Sequence, residues 1–135
     1  MPTLRVTVEA LRGHRAIGRQ EQNGVIPLDR PVSTGGTGLG FNGGHLMLIG
    51  WGACFKSTLV AAAEAREIPI KRLELDIEGD LAHEPFRFAA VRMEVVLEGP
   101  ATADEKQKLL TIARNGCAVS NTLERAAEMT VRLAE

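Results

Sequence analysis

The run from Asn42 to Val60, N-G-G-H-L-M-L-I-G-W-G-A-C-F-K-S-T-L-V, decides how the rest of the chain is read. It is a glycine-led approach to a helix that is apolar on nearly every side. A helix hydrophobic all round is buried, whereas a surface helix keeps a polar face. The pattern predicts a central helix over about Gly44 to Arg66, ended before Ile68-Pro69, because a proline excludes its predecessor from helical backbone. Cys54 falls in the middle of this helix, which places it deep in the fold.

Before the helix, Asp29 to Gly44 carries Gly35, Gly36, Gly38, Gly40, Gly43 and Gly44. A loop of this length inside a compact domain is functional more often than idle. Farther upstream, Leu4, Val6 and Val8 alternate with polar residues and predict a strand over about 3 to 10. A second strand follows near Arg15 to Gln20, and Asn23-Gly24 is a hairpin signal leading into Val25 to Leu28.

Downstream of the helix, Leu73, Leu75 and Ile77 alternate with charged residues, and Gly79-Asp80 reads as the next turn. The apolar phase of the following strand slips by one residue between Phe88 and Val91, which predicts a bulge near Ala89 to Val91. Thr102 to Glu105 is a capping box that opens a second long helix. Cys117 lies on its inward stripe, Asn115-Gly116 reads as its C-cap, and Ser120 or Asn121 as the cap of a shorter helix. Met129, Val131 and Leu133 alternate, predicting a last strand.

These elements give an α+β domain spanning residues 1–135 as one unit, with a largely antiparallel sheet and both long helices on one side. One sheet face cannot cover the central helix alone, so a homodimer is expected.

Composition narrows the function classes. A formal net charge of −1 without charge blocks gives no basic footprint for nucleic acid. No uninterrupted run approaches the ~20 apolar residues of a membrane span, and the N-terminus lacks a signal peptide's apolar block. The expected location is the cytoplasm. Gly38-Leu-Gly40-Phe-Asn-Gly43 fits a dinucleotide fingerprint only superficially, since no buried strand precedes it. His14, His45 and His83 lack metal-ligand spacing with one another or with the cysteines. No metal and no organic cofactor are expected.

Cys54 and Cys117 remain. Two buried thiols are by default core residues. They become a redox pair if the helices that carry them bring one sulfur to the other. Spacing alone does not say which sulfur would attack first.

Asn42-Gly-Gly-His-Leu, Gly52-Ala53-Cys54-Phe55, the strand from Leu73 to Gly79, the capped helix, and Ala113-Arg-Asn-Gly-Cys117-Ala-Val-Ser-Asn121-Thr-Leu123 together resemble the OsmC/Ohr family of osmotically inducible and organic hydroperoxide resistance proteins. The resemblance covers nearly the whole chain and is most specific at the two cysteine motifs. It implies an intertwined homodimer and a thiol-dependent peroxidase that reduces organic hydroperoxides in defence against oxidative stress. By analogy Cys54 is the peroxidatic nucleophile and Cys117 resolves it to a disulfide, which an external dithiol reduces.

A buried thiol needs a nearby cation to ionise. Arg30, in the loop before the helix, and Arg12, in the Leu-Arg-Gly-His-Arg turn, are the candidates, with Arg30 preferred. The chain departs from the family where Gly43-Gly44-His45 replaces a proline-carboxylate motif, leaving His45 as the substitute partner for the arginine, and where Ala118 replaces a proline. Met47, Trp51, Phe55, Phe86 and Phe88 are the apolar residues that would suit a greasy substrate. The alternative reading is a non-catalytic relative that binds an apolar or acyl ligand at the dimer interface.

Overall fold

The computed structural model describes residues 1–134. The fold is α+β, as predicted, with antiparallel sheets and, among the described residues, three α-helices. It consists of two compact units, one covering Met1–Met47 and the other beginning at Leu48.

The first unit is a meander of β1 (Val6–Ala10), β2 (Ala16–Gln20) and β3 (Val25–Leu28), each antiparallel to the next. The Asn23-Gly24 turn forms as expected, with Gly24 at φ 98° and the Gln20 amide donating to its carbonyl at 3.2 Å. The glycine-rich segment that follows is an ordered loop. Asp29, 6% exposed, accepts from the Arg30 amide at 2.7 Å, from the Thr37 amide at 2.9 Å and from the Thr37 hydroxyl. Gly36 and Gly40 are required by space: a β-carbon would stand 2.0 Å from the Arg30 carbonyl oxygen at one and 2.6 Å from the Leu28 carbonyl carbon at the other.

Helix α1 runs Gly43–Ala65, and the Asn42 side chain accepts from the Gly44 amide at 2.9 Å at its start. Its 23 residues are long and apolar enough to pass as a membrane span by length and composition, which the interrupted sequence run did not suggest. Phe55, Leu59, Ala62 and Ala63 nevertheless belong to the protein core.

In the second unit, β4 (Arg72–Ala82) and β5 (Arg87–Glu98) form an antiparallel ribbon. Leu73, Leu75, Met93, Val95 and Leu97 on one face pack against α1 and against α2 (Ala103–Gly116). Both long helices therefore share one side of this ribbon. The bulge falls where the phase slip put it: Asp80 pairs with Ala90 and Leu81 with Phe88, leaving Ala89 as the extra residue. The turn expected at Gly79-Asp80 does not form, and β4 continues to Ala82. Gly79 is there because the Phe88 ring covers it, at 2.6 Å from where a β-carbon would be.

The capping box is complete, with the Thr102 amide donating to Glu105 Oε1 at 2.9 Å and the Glu105 amide to Thr102 Oγ1 at 3.2 Å. A short helix, α3, spans Ala118–Glu124. Its cap is Cys117, correcting the assignment to Ser120 or Asn121. The final strand is also absent among the described residues: Met129, Val131 and Leu133 are 85%, 90% and 95% exposed. Alternation makes a strand only where a sheet edge accepts it, and among the described residues no pairing reaches these three.

Candidate functional site

On α1, Trp51, Cys54, Phe55 and Thr58 recur at helical spacing and so share one stripe. The end of α2 meets that stripe where Gly116 comes against Thr58, a β-carbon at 116 standing 2.9 Å from Thr58 Cγ2. One residue later Cys117 turns into the interior and is 0% exposed, in the same cluster as Cys54. The two cysteines are thus neighbours, and both are free thiols. Cys117 is enclosed, as its place on the inward stripe predicted, whereas Cys54, expected deep in the fold, is only half-buried.

Cys117 serves both helices that meet at it. Its amide donates to the Arg114 carbonyl at 3.5 Å as α2 ends, and its sulfur accepts from the Ser120 amide at 3.4 Å as α3 begins. Ser120 is buried, and its hydroxyl oxygen accepts from Trp51 Nε1 at 2.7 Å, tying α3 to α1. Burial pushes the Cys117 thiol up, but the Ser120 hydroxyl, the Ser120 amide, the Cys54 side chain and the Val119 amide outweigh it, so the thiol ionises below its ordinary value. Sequence reading missed Ser120 and Trp51 as partners of the cysteine. The signal was the Cys-x-x-Ser spacing, which at a helix start aims the Ser120 amide back at residue 117.

Beside the cysteines lies a cleft of about 510 Å³ whose floor includes Trp51, Phe55, Met93, Val95 and Leu110. Arg114 and Glu124 stand in its wall and pair with each other at 2.5 Å. Of the residues proposed to suit an apolar substrate, Trp51 and Phe55 line this cleft. Phe86 does not: it is 68% exposed and stacked on His83, ring centroids 5.2 Å apart.

Arg12, Arg30 and His45 all belong to the first unit and are exposed. Arg12 sits in the β1–β2 turn. The backbone of Arg30 is held on both sides, its amide by Asp29 and its carbonyl by the Gly38 amide at 3.1 Å. His45 lies in the first turn of α1, which carries no acidic residue. Among the described residues, no three His, Cys, Asp or Glu side chains gather as metal ligands.

Comparison with known proteins agrees with this architecture. The sequence model for OsmC-like proteins matches residues 36–132. An OsmC-like protein of Mycoplasma pneumoniae superposes with a TM-score of 0.81 at 22% identity, over 93% of this chain and 89% of that one. An organic hydroperoxide resistance protein of Elizabethkingia anophelis, with crystallant-derived thiocyanate bound, gives 0.68 at 19% identity, over 93% and 91%. The organic hydroperoxide resistance protein OsmC of Legionella pneumophila gives 0.62 at 21% identity, over 91% and 90%. A search of curated protein sequences returned no match.

Proposed function

The chain belongs to the OsmC-like protein family, and on that premise we propose that it is a thiol-dependent peroxidase reducing organic hydroperoxides in defence against oxidative stress. The observation that carries this reading is the meeting of Cys54 and Cys117, from different helices, in one cluster with the Cys117 thiol held below its ordinary value. The structural relatives named for organic hydroperoxide resistance point the same way.

Cys54 is the nucleophile, because it is the sulfur that a peroxide can reach. The Cys117 thiol ionises below its ordinary value and lies against Cys54, so it can take the proton that Cys54 loses as it attacks. The Cys54 thiolate attacks one peroxide oxygen, the O–O bond breaks, and the departing alkoxide takes a proton to leave as alcohol. Cys54 is then a sulfenic acid. The Cys117 thiolate attacks its sulfur, expels hydroxide that is protonated to water, and forms the disulfide. An external dithiol returns the two electrons.

In this reading Arg30 is the cation that supports the Cys54 thiolate, with Arg12 as the other candidate and His45 as the arginine's hydrogen-bond partner in place of the family's carboxylate. The working form in this reading is a homodimer: only 28% of the most apolar window of α1 is buried within one chain, and Ile49 on it is 48% exposed. A second copy would cover that surface. Sedimentation at micromolar concentration gives a dimer if this is right.

The test is to supply reduced protein with cumene hydroperoxide and dithiothreitol and follow peroxide loss beside a Cys54→Ser variant. Consumption that depends on Cys54, with a Cys54–Cys117 disulfide seen by mass spectrometry, is expected. Absence of both overturns the peroxidase reading. The cleft supports a second reading, binding of an apolar or acyl ligand without turnover, because neither cysteine lines it. Saturable binding of a fatty acid with no peroxide loss would favour that reading.

A further inference from the structure

Resting on the peroxidase reading, we infer that Ser120, braced by Trp51, makes Cys117 the leaving thiolate when the Cys54–Cys117 disulfide is reduced, and so steers the incoming thiol to Cys54.

The hydrogen-bond inventory carries the argument. Indole Nε1 can only donate, so at 2.7 Å the Ser120 oxygen must be accepting from Trp51. The one proton Ser120 has to give is then free, and among the described hydrogen bonds no carbonyl takes it. The Cys117 sulfur accepts from the amide of the same residue at 3.4 Å. The Ser120 amide is thus a donor fixed on the sulfur, and its hydroxyl, held by Trp51, is the group of that residue with a proton still to give. Cys54 has no comparable set: the Thr58 hydroxyl one turn away bonds the Cys54 carbonyl at 3.2 Å, not its sulfur.

Thiol–disulfide exchange favours departure of the sulfur that better carries negative charge, and attack on the sulfur that can be reached. Both conditions select the same direction. An external thiolate bonds to Cys54 Sγ, the S–S bond breaks, and its electron pair goes to Cys117 Sγ, where the Ser120 donors receive it. The second thiol of the reductant then attacks the mixed disulfide. It becomes the oxidised external disulfide and releases Cys54, which takes up a proton. The protein gains two electrons and the dithiol loses two.

Trp51 and Ser120 are positioning residues here, and the test reads what a merely structural role would not move. The disulfide is made with diamide, without peroxide, and exposed to limiting glutathione, and the adduct is mapped by mass spectrometry. It should lie on Cys54. Reduction by dithiothreitol near neutral pH should slow roughly fivefold in Ser120→Ala, less in Trp51→Phe, and recover in Ser120→Thr, while the pH at which Cys117 becomes reactive to alkylation rises in Ser120→Ala. An adduct on Cys117, or Ser120→Ala and Trp51→Phe reduced at the parent rate, overturns the inference. Failure of diamide to form the bond sinks both this and the peroxidase reading. A Cys54 adduct without hydroperoxide consumption sinks the peroxidase reading alone.

Discussion

Gly116 and Thr58 are in contact closely enough that a β-carbon on the glycine would stand 2.9 Å from the threonine methyl. This approach, one turn beyond Cys54, is what lets the end of α2 deliver Cys117 to α1. A Gly116→Ala change gains at most about 1 kcal/mol in helix propensity. Pushing apart two packed elements costs about 1–3 kcal/mol. The variant is therefore expected to unfold at lower urea concentration and to form the Cys54–Cys117 disulfide more slowly with diamide. An unchanged oxidation rate would show that the contact does not set the distance between the cysteines.

Cys117 caps α3 with its sulfur, so its removal affects structure as well as redox chemistry. Losing a side-chain cap costs about 1 kcal/mol, and truncating a buried side chain adds to that. Cys117→Ser keeps an acceptor for the Ser120 amide, whereas Cys117→Ala keeps none. Chemical denaturation should find the serine variant closer to the parent than the alanine variant. The reverse order would mean that the buried site tolerates a methyl better than a hydroxyl and that the cap contributes little.

Periodicity was enough to read β4, the Ala89 bulge and the capped start of α2, because each of these is a local pattern with a local cause. It failed where the cause is a contact distant in sequence. Gly79 looked like a turn because nothing local shows that Phe88 needs the space above it. Gly116 looked like a C-cap chosen for its backbone freedom, but it is the last residue of α2 and gives way to Thr58, 58 positions earlier. The Met129, Val131 and Leu133 alternation was read as a strand without any evidence of an edge to receive it. At the site, the cysteines were legible as a possible pair. Which of them is enclosed, and that Trp51 and Ser120 stand behind it, depends on how α1, α2 and α3 meet.

Thr102 and Glu105 satisfy each other's backbone amides on a helix whose inward residues Leu109 and Ala113 are fully enclosed. Thr102→Ala removes the acceptor for the Glu105 amide and is expected to cost about 1 kcal/mol. Thr102→Ser should restore most of it. Urea titrations of the three proteins check this, and equal midpoints for alanine and threonine would show that the box adds nothing to the packing of α2.

Asp29 ties the loop that carries Arg30, and the Thr37 hydroxyl, opposed by burial and aided by the Thr37 and Arg30 amides, lowers its carboxyl from 3.8 to about 2. A carboxyl that ionises more readily when folded contributes stability that is fully present above its unfolded value of 3.8 and is lost as pH falls through about 2. The loop should therefore hold its shape at neutral pH and loosen in that acid window. Asp29→Asn keeps one acceptor but loses the charge, so it should remove the acid step and weaken the loop at neutral pH. The measurement is amide hydrogen exchange at Thr37 and Gly38 as a function of pH. Protection that persists unchanged to the bottom of the window, or that is the same in Asp29→Asn at neutral pH, would show that the carboxylate is not what holds the loop.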